Sequence, residues 1–122
     1  MADHASTKEL LRRLGALTRE VRHEIPGVYA GFASLHEAAL APGALDVKTK
    51  ELIAFAIGIV EGCDGCIAAH ARGAVRAGAT RQEAAEAIGV AVLMRGGPAT
   101  VHGPRAYAAF CQLADDDAAR AA

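Results

Sequence analysis

Two cysteines and a histidine lie at helical spacing near the middle of the chain, at Cys63, Cys66 and His70. Residues three, four and seven apart share one face of an α-helix, so these three side chains are predicted to form a column along one stripe. A close cysteine pair of this kind is typical of a dithiol redox site, in which one thiolate attacks and the second thiol closes a disulfide.

The chemistry of such a site depends on which sulfur becomes the thiolate. A free thiol has a pKa of about 8.5, so a reactive cysteine needs a feature that lowers it. The N-terminal turn of a helix favours an anion at Cys63, whereas His70, one turn beyond Cys66, is placed to take the proton of Cys66. The two arguments favour different sulfurs, so the residues alone leave the nucleophile open. Asp64, between the cysteines, is a candidate helix cap.

Glu51 is the fourth candidate site residue, twelve positions before Cys63. If the helices on either side of Gly62 form a hairpin, a residue about three turns back faces His70. A carboxylate that holds a histidine, which in turn serves a thiol, is a recurrent arrangement in covalent catalysis. The alternative interpretation is an exposed first-turn acid that favours the helix dipole, and the residues alone leave both open.

The spacing of the cysteines also bears on their disulfide. Cβ atoms at positions i and i+3 of a regular helix lie about 5–6 Å apart, whereas a disulfide requires about 3.5–4.5 Å. We therefore expect the first helical turn to be distorted where Cys63 and Cys66 join. A strained and accessible disulfide is readily reduced, which suits a cycling catalyst.

Metal and haem sites are the competing interpretations of the same residues. Cys63, Cys66, His70 and Glu51 are all of types that bind zinc. Three ligands from one straight helix extend over about two turns, which is too long for a tetrahedron with bonds of about 2.0–2.3 Å. Haem attachment requires a histidine directly after the second cysteine, where this chain has Ile67. We expect neither a metal nor a cofactor.

The remaining cysteine and histidines receive structural interpretations. Cys111 is predicted to be a structural thiol near the end of the last helix. His4, His23 and His36 are interpreted as surface or helix-face residues, and His102 as a structural histidine.

Helical periodicity extends along almost the whole chain, and no segment shows the alternation of a half-buried strand. We predict one all-α domain, residues 1–122, of about six helices. The third is apolar on every face, which predicts a buried central helix. The expected spans are Thr7–His23, Pro26–Leu40, Val47–Val60, Cys63–Gly78, Thr80–Met94 and Pro98–Leu113, followed by a frayed tail from Asp115 to Ala122.

Composition and charge narrow the class of protein. The chain has 122 residues, of which 52% are hydrophobic but only 4% aromatic. Because alanine-rich helices bury little area per residue, we expect an oligomer that extends the core between subunits. The net charge is −1, without a basic stripe, so nucleic-acid binding is not expected. No apolar run is long enough to span a membrane, and the polar N-terminus lacks a signal-peptide pattern, so a cytoplasmic location is expected.

The chemistry-bearing residues lie within segments that resemble the carboxymuconolactone decarboxylase-like superfamily, and within it the alkyl hydroperoxidase D branch. The resemblance covers about residues 25–110, and its specific feature is the combination of Glu51 with Cys63-x-x-Cys66-x-x-x-His70 at these spacings. The other matching segments are Leu45-Asp46-Val47-Lys48-Thr49-Lys50-Glu51-Leu52-Ile53-Ala54, Gly78-Ala79-Thr80-x-x-Glu83 and Gly96-Gly97-Pro98-Ala99.

The resemblance implies an alkyl hydroperoxidase D-like fold around a central helical hairpin, assembled as a homotrimer or homohexamer. It also implies thiol-dependent reduction of a hydroperoxide, with an external thiol or disulfide reductant as the second partner. Cys66 resembles the peroxidatic cysteine and Cys63 the cysteine that resolves it, while His70 and Glu51 match the proton relay. The hydroperoxidases can carry a second histidine where this chain has Gly65.

Two further functions are compatible with the same scaffold. The first is a non-enzymatic redox-sensing subunit, whose disulfide changes its assembly or a partner contact. The second is a lyase of the carboxymuconolactone decarboxylase type. The decarboxylase branch usually lacks the cysteine pair, so its lactone chemistry is the less favoured interpretation.

Overall fold

The computed structural model describes residues 6–121, and this part of the chain consists of six α-helices joined by short connections. No strand occurs within the described residues. The all-α prediction with six helices is therefore confirmed. The helices are α1 (Thr7–Glu24), α2 (Pro26–Leu40), α3 (Val47–Glu61), α4 (Asp64–Arg76), α5 (Arg81–Arg95) and α6 (Gly97–Ala121).

Helices α3 and α4 form the hairpin at the centre of the fold and make the most extensive helix–helix contact in it. Asp46 caps α3 by accepting a hydrogen bond from the Thr49 N–H at 2.8 Å. Hydrogen bonding with the Thr49 side chain, and then with its backbone N–H, holds the pKa of the Asp46 carboxyl below its ordinary value. Gly62 ends the helix with φ 64°, a left-handed conformation that glycine adopts without a steric penalty. The chain then reverses, and α4 packs back along α3.

Local sequence signals set the boundaries of the flanking helices as well. The Ser6 hydroxyl caps α1 by accepting from the Glu9 N–H at 3.0 Å, and Thr80 forms the predicted capping box with Glu83 at the start of α5. Pro26 occupies the first position of α2. Because each of these signals acts within four residues, the sequence alone was sufficient to find them.

Helix α6 is longer than predicted, and the frayed tail was the wrong expectation. The helix continues through Pro104 and runs on to Ala121. Leu113 is buried in the core, and Asp115 accepts from the Arg81 guanidinium of α5 at 2.6 Å. These contacts hold the C-terminal turns in the helix. The predicted behaviour of Met1–Ala5, including His4 and the polar N-terminus, and of Ala122 lies outside the described residues.

The core is built from a few large side chains separated by alanines. Phe55 of α3 and Phe110 of α6 are fully buried, with ring centroids 6.3 Å apart. Buried alanines let the helices approach closely around them. The other core residues are Ile59, Ile67, Ala71, Ala74, Ala84, Ala91, Ala99, Ala106 and Leu113.

One prediction about burial was wrong for the single chain. Helix α3 is buried on one side only, since Ile53 and Ile57 are 45% and 56% exposed. Helix α2 also carries exposed apolar side chains, with Phe32 59% and Leu35 62% exposed. Helix α2 lies at the periphery, where its backbone packs against α1 and α3.

Within residues 6–121, none of the helices combines the length and the hydropathy that crossing a membrane requires.

Candidate functional site

Cys63 and Cys66 lie at the start of α4 and are joined by a disulfide, with Cα atoms 5.2 Å apart. Cys63 is the N-cap of the helix, with extended backbone angles φ −95° and ψ 101°. Its Sγ accepts a hydrogen bond from the Cys66 N–H at 3.2 Å. The helix therefore begins at Asp64 rather than at Cys63, and Cys63 rather than Asp64 is the cap. Because Cys63 stands outside the regular helix, the two sulfurs can meet without distorting its first turn.

The two sulfurs differ in their surroundings. Cys66 is exposed, whereas Cys63 is half-buried and receives an N–H from the first turn. An N–H directed at sulfur stabilises a thiolate on Cys63, as the dipole argument predicts. Exposure, in contrast, gives Cys66 the better access to an incoming oxidant.

Glu51 and His70 form a close pair that joins α3 to α4. Oε1 of Glu51 lies 2.6 Å from Nδ1 of His70, and Glu51 is only 9% exposed. The interpretation of Glu51 as an exposed first-turn acid is therefore wrong. A carboxylate acts only as an acceptor, so when Glu51 is ionised Nδ1 of His70 carries the proton and Nε2 is free to accept one. A histidine held in this way has the form of a general base.

The pair depends on a glycine that the sequence reading missed. Gly73 stands one turn after His70 on α4, directly under the carboxylate of Glu51. A Cβ at position 73 would overlap the carboxyl carbon and both of its oxygens. The absence of a side chain here is what allows Glu51 to reach across the helix interface. A glycine within a predicted helix, three residues after a candidate base, was the available signal.

Two more glycines bring helices close to the cysteines. At Gly58 of α3, a Cβ would meet the Cβ of Cys66 and the backbone N of Ile67 at 3.3 Å each. At Gly65, a Cβ would lie 2.9 Å from Cδ1 of Leu14, on α1. The side chain of Leu14 thus fills the space into which a histidine at position 65 would project. A larger side chain at position 65 therefore requires Leu14 to shift.

His36 of α2 is the other site neighbour that sequence reasoning missed. Its imidazole stacks on that of His70, with centroids 5.8 Å apart and ring planes 20° apart. His36 is exposed on a helix face, as predicted, but the prediction did not include its contact with His70. The contact joins residues 34 positions apart, on two helices whose backbones do not pack against each other, so the periodicity of the sequence gave no indication of it.

His102 of α6 approaches the same region from the other side. A Cβ at Gly62 would lie 3.1 Å from Nε2 of His102, so the imidazole covers the glycine that precedes Cys63. Cys111 is half-buried and lies elsewhere on α6, beside Tyr107 and Arg81. A hydrogen bond between the Cys111 side chain and Tyr107 raises the pKa of the Tyr107 phenol. No three histidine, cysteine, aspartate or glutamate side chains in residues 6–121 are arranged to hold a metal ion.

Residues 26–109 match the model of the carboxymuconolactone decarboxylase family. The chain belongs to this family. The matched range starts with α2 and ends within α6, and it includes Glu51, Cys63, Cys66 and His70. The family resemblance inferred from the sequence is thereby confirmed at the family level.

Relatives of known sequence agree with this placement. An uncharacterised protein of the cox locus of Paracoccus denitrificans is 44% identical over 82 residues, which are 67% of this chain and 74% of the relative. An uncharacterised protein of Cupriavidus necator is 35% identical over 105 residues, which are 86% of this chain and 89% of the relative.

Solved structures show the same fold. The apo form of a carboxymuconolactone decarboxylase family protein from Legionella pneumophila superposes with a TM-score of 0.85 at 39% identity, covering 88% of this chain and 96% of that one. A family member from Thermotoga maritima superposes with a TM-score of 0.68 at 35% identity, covering 73% and 92%. That protein is described as a candidate participant in an antioxidative response.

Proposed function

We propose that this family member is a thiol-dependent peroxidase or disulfide oxidoreductase of the alkyl hydroperoxidase D type. One observation carries the proposal: a Cys63–Cys66 disulfide at a helix start, with the Glu51–His70 pair one turn along the same helix. The description of the Thermotoga maritima relative as a candidate participant in an antioxidative response supports the same chemistry.

In the proposed cycle the reduced protein begins with thiols at both cysteines. Nε2 of His70 accepts the proton of Cys66, and Glu51 stabilises the imidazolium through Nδ1. The Cys66 thiolate attacks the terminal oxygen of the hydroperoxide and the O–O bond breaks. The products are a sulfenic acid on Cys66 and an alkoxide, which takes up a proton to leave as an alcohol.

Cys63 then resolves the sulfenic acid. Its sulfur attacks Sγ of Cys66, water leaves, and the disulfide seen in the structure forms. Cys63 is the N-cap of α4, and Cys66 lies in the first turn of that helix. This arrangement supports the step because it places the two sulfurs next to each other. Two thiols of an external reductant return the pair to the dithiol and leave as a disulfide. We place the reaction in the cytoplasm, where such reductants are maintained.

Assignment of the peroxidatic role to Cys66 has two supports. Cys66 is the more exposed of the two cysteines, and a hydroperoxide must reach the nucleophile. It also lies one turn before His70, so that the proposed base can serve it along the helix. The N–H that Cys63 receives suits a resolving thiol that ionises without a base of its own.

We also propose that the protein assembles as a homotrimer or homohexamer through the open face of α2. Val28, Phe32 and Leu35 share this face and are 64%, 59% and 62% exposed in the single chain. Clustered apolar residues of this size mark interaction surfaces. Light scattering should give a mass of three or six chains, and Leu35→Glu should lower it. A monomeric wild type would overturn the assembly proposal.

The test of the enzymatic proposal is dithiol-dependent consumption of hydrogen peroxide and of an organic hydroperoxide. Cys66→Ser should lower turnover at least about a hundredfold, because the nucleophile is lost. Cys63→Ser should still form one sulfenic acid, detectable by dimedone labelling, but should not cycle through the intramolecular disulfide. The matched control is Cys111→Ser, which removes the third cysteine and should leave turnover unchanged.

Each alternative function gives a different result in the same experiment. Equal turnover in the wild type and in Cys66→Ser would overturn the peroxidase proposal. A redox-sensing subunit would show negligible turnover but an oxidation-dependent change in mass. A lyase of the decarboxylase type would keep its activity when both cysteines are replaced.

A further inference from the structure

Three aromatic rings form a column that leads from the surface of α2 to the site. Phe32 and His36 are one turn apart on α2, with ring centroids 6.2 Å apart and planes inclined at 53°. The next ring is that of His70, 5.8 Å beyond His36 and inclined by only 20°. Offset stacking at such distances is a favourable arrangement of aromatic rings. The proposed base is thus in an offset stack with a second imidazole from a different helix.

The stacked geometry shows what His36 can do. The N–H bonds and lone pairs of an imidazole lie in the plane of its ring, so two rings that face each other exchange no proton directly. His36 is therefore poorly placed to be the next member of a hydrogen-bonded relay. Its contact with His70 acts instead on the plane of the His70 ring.

The ring plane is what the Glu51 contact leaves undetermined. One hydrogen bond at 2.6 Å fixes the position of Nδ1, but the His70 ring can still tilt about that point. Tilting moves Nε2, the atom that would accept the Cys66 proton. A flat contact on the ring face opposes that motion. Glu51 and His36 thus constrain His70 in two complementary ways, at its edge and at its face.

We propose that His36 is a positioning residue: its stacked ring holds the plane of His70, so that Nε2 stays directed at the Cys66 thiol. This inference rests on the proposed role of His70 as the base for Cys66. It assigns α2 a part in the reaction, although the helix carries neither cysteine nor the Glu51–His70 pair. A displacement of α2 would therefore change the orientation of His70 next to the reactive thiol, through the single contact between His36 and His70.

The ring-plane role makes a specific prediction for two substitutions of one residue. His36→Ala removes the ring, whereas His36→Phe keeps a flat ring and removes both nitrogens. The rate constant for alkylation of reduced Cys66 by iodoacetamide should fall roughly tenfold in His36→Ala, since small errors of position are costly in proton transfer. In His36→Phe it should stay within about twofold of the wild type. Peptide mass spectrometry separates Cys66 from Cys63 and Cys111.

A double variant shows whether His36 acts through His70. If it does, His36→Ala/His70→Ala should react no more slowly than His70→Ala alone, because the residue being positioned is gone. A general structural effect would add to the loss instead. The matched control is His23→Ala, which removes an exposed histidine from α1 and should leave the rate constant unchanged. Equal melting temperatures of the oxidised proteins would show that the variants fold.

Three results would overturn the proposal: a wild-type rate in His36→Ala, a loss in His36→Phe as large as in His36→Ala, or an additive double variant. Alkylation needs no peroxide, so this test is independent of turnover. If the wild type consumes no hydroperoxide, the peroxidase proposal fails while the alkylation comparison still decides the role of His36. If turnover is present and His36→Ala alkylates normally, only the positioning role fails.

Discussion

The carboxylate of Glu51 occupies the space that a side chain at position 73 would fill. Gly73 lies on α4, one turn beyond His70, and an added Cβ would overlap the carboxyl carbon and both oxygens of Glu51. The 2.6 Å contact between Glu51 and His70 thus requires glycine at a position three residues away from the imidazole. The helix interface is shaped around the carboxylate.

Gly73→Ala should therefore separate Glu51 from His70. The added methyl group forces the carboxylate away, and overpacking at this buried interface should cost about 1–3 kcal/mol of unfolding free energy. Alkylation of reduced Cys66 should also slow, roughly tenfold, as expected for a misplaced base. Urea unfolding and the alkylation rate constant measure the two effects.

Gly15→Ala is the matched control for this substitution. Gly15 lies within α1, and a Cβ there meets no atom within 4 Å. Glycine in a helix interior costs roughly 0.5–1 kcal/mol relative to alanine, so this variant should be stabilised by about that amount. Its Cys66 rate constant should match the wild type. Stabilisation by Gly73→Ala as well would contradict the close contact with Glu51.

Glu51→Gln tests the charge of the carboxylate rather than its position. Glutamine has nearly the same shape and keeps an oxygen acceptor for the Nδ1 proton of His70, but it cannot stabilise an imidazolium by charge. The rate constant for hydroperoxide reduction should fall by about ten- to a hundredfold, within the range of general acid–base effects. Stopped-flow kinetics of the reduced protein measure it.

The same pair can be examined as a double-mutant cycle. Combining Glu51→Gln with His70→Ala should give a loss close to that of His70→Ala alone, because Glu51 acts through the imidazole. Fully additive losses would show that the carboxylate serves the reaction independently of His70, and the proposed relay would then be wrong.

The parts of the fold that could be predicted from the sequence are those set by local signals. Asp46, Thr80 and Gly62 each act on the backbone within a few residues, and the helix ends follow from them. The cap at Cys63 was missed because sulfur is an unusual cap, while the neighbouring Asp64 is a common one. The extent of α6 depends on contacts with α5, which no local pattern contains.

The residues of the candidate site also fall into two groups, those that the sequence indicated and those that only the complete fold brings together. Cys66 and His70 lie on α4 and Cys63 is its N-cap, so their spacing indicated a shared site. Glu51 required the assumption of a hairpin, which the α3–α4 packing now provides. Gly73 and His36 reach the site through contacts between helices. Such contacts depend on the complete fold, so no local sequence pattern predicts them. The burial of α3 was overestimated because an apolar pattern does not show whether the residues that cover it belong to the same chain.

The ion pair between Lys48 and Glu83, 2.9 Å apart, joins α3 to α5 and gives the fold a pH dependence. The pKa of Glu83 lies below its ordinary value of 4.5, first because its carboxylate accepts from the Thr80 N–H and second because of the Lys48 ammonium. A carboxyl whose pKa is lower in the folded state stabilises that state above the unfolded pKa. The contribution is lost as the pH falls through the folded value.

Glu83→Gln should therefore destabilise the protein near neutral pH and have little effect in acid. Glutamine keeps the capping-box hydrogen bond to Thr80 but removes the charge that pairs with Lys48. Melting temperatures of the two proteins should differ at pH 7 and converge as the pH falls below 4.5, the ordinary pKa of Glu83. Lys48→Met removes the same pair from its other side and should converge with the wild type in the same range. The control is Glu37→Gln, at an exposed position of α2, whose melting temperature should differ from that of the wild type by the same amount at both pH values. If the melting temperature of Glu83→Gln is lowered equally at all pH values, Glu83 acts through packing instead of charge.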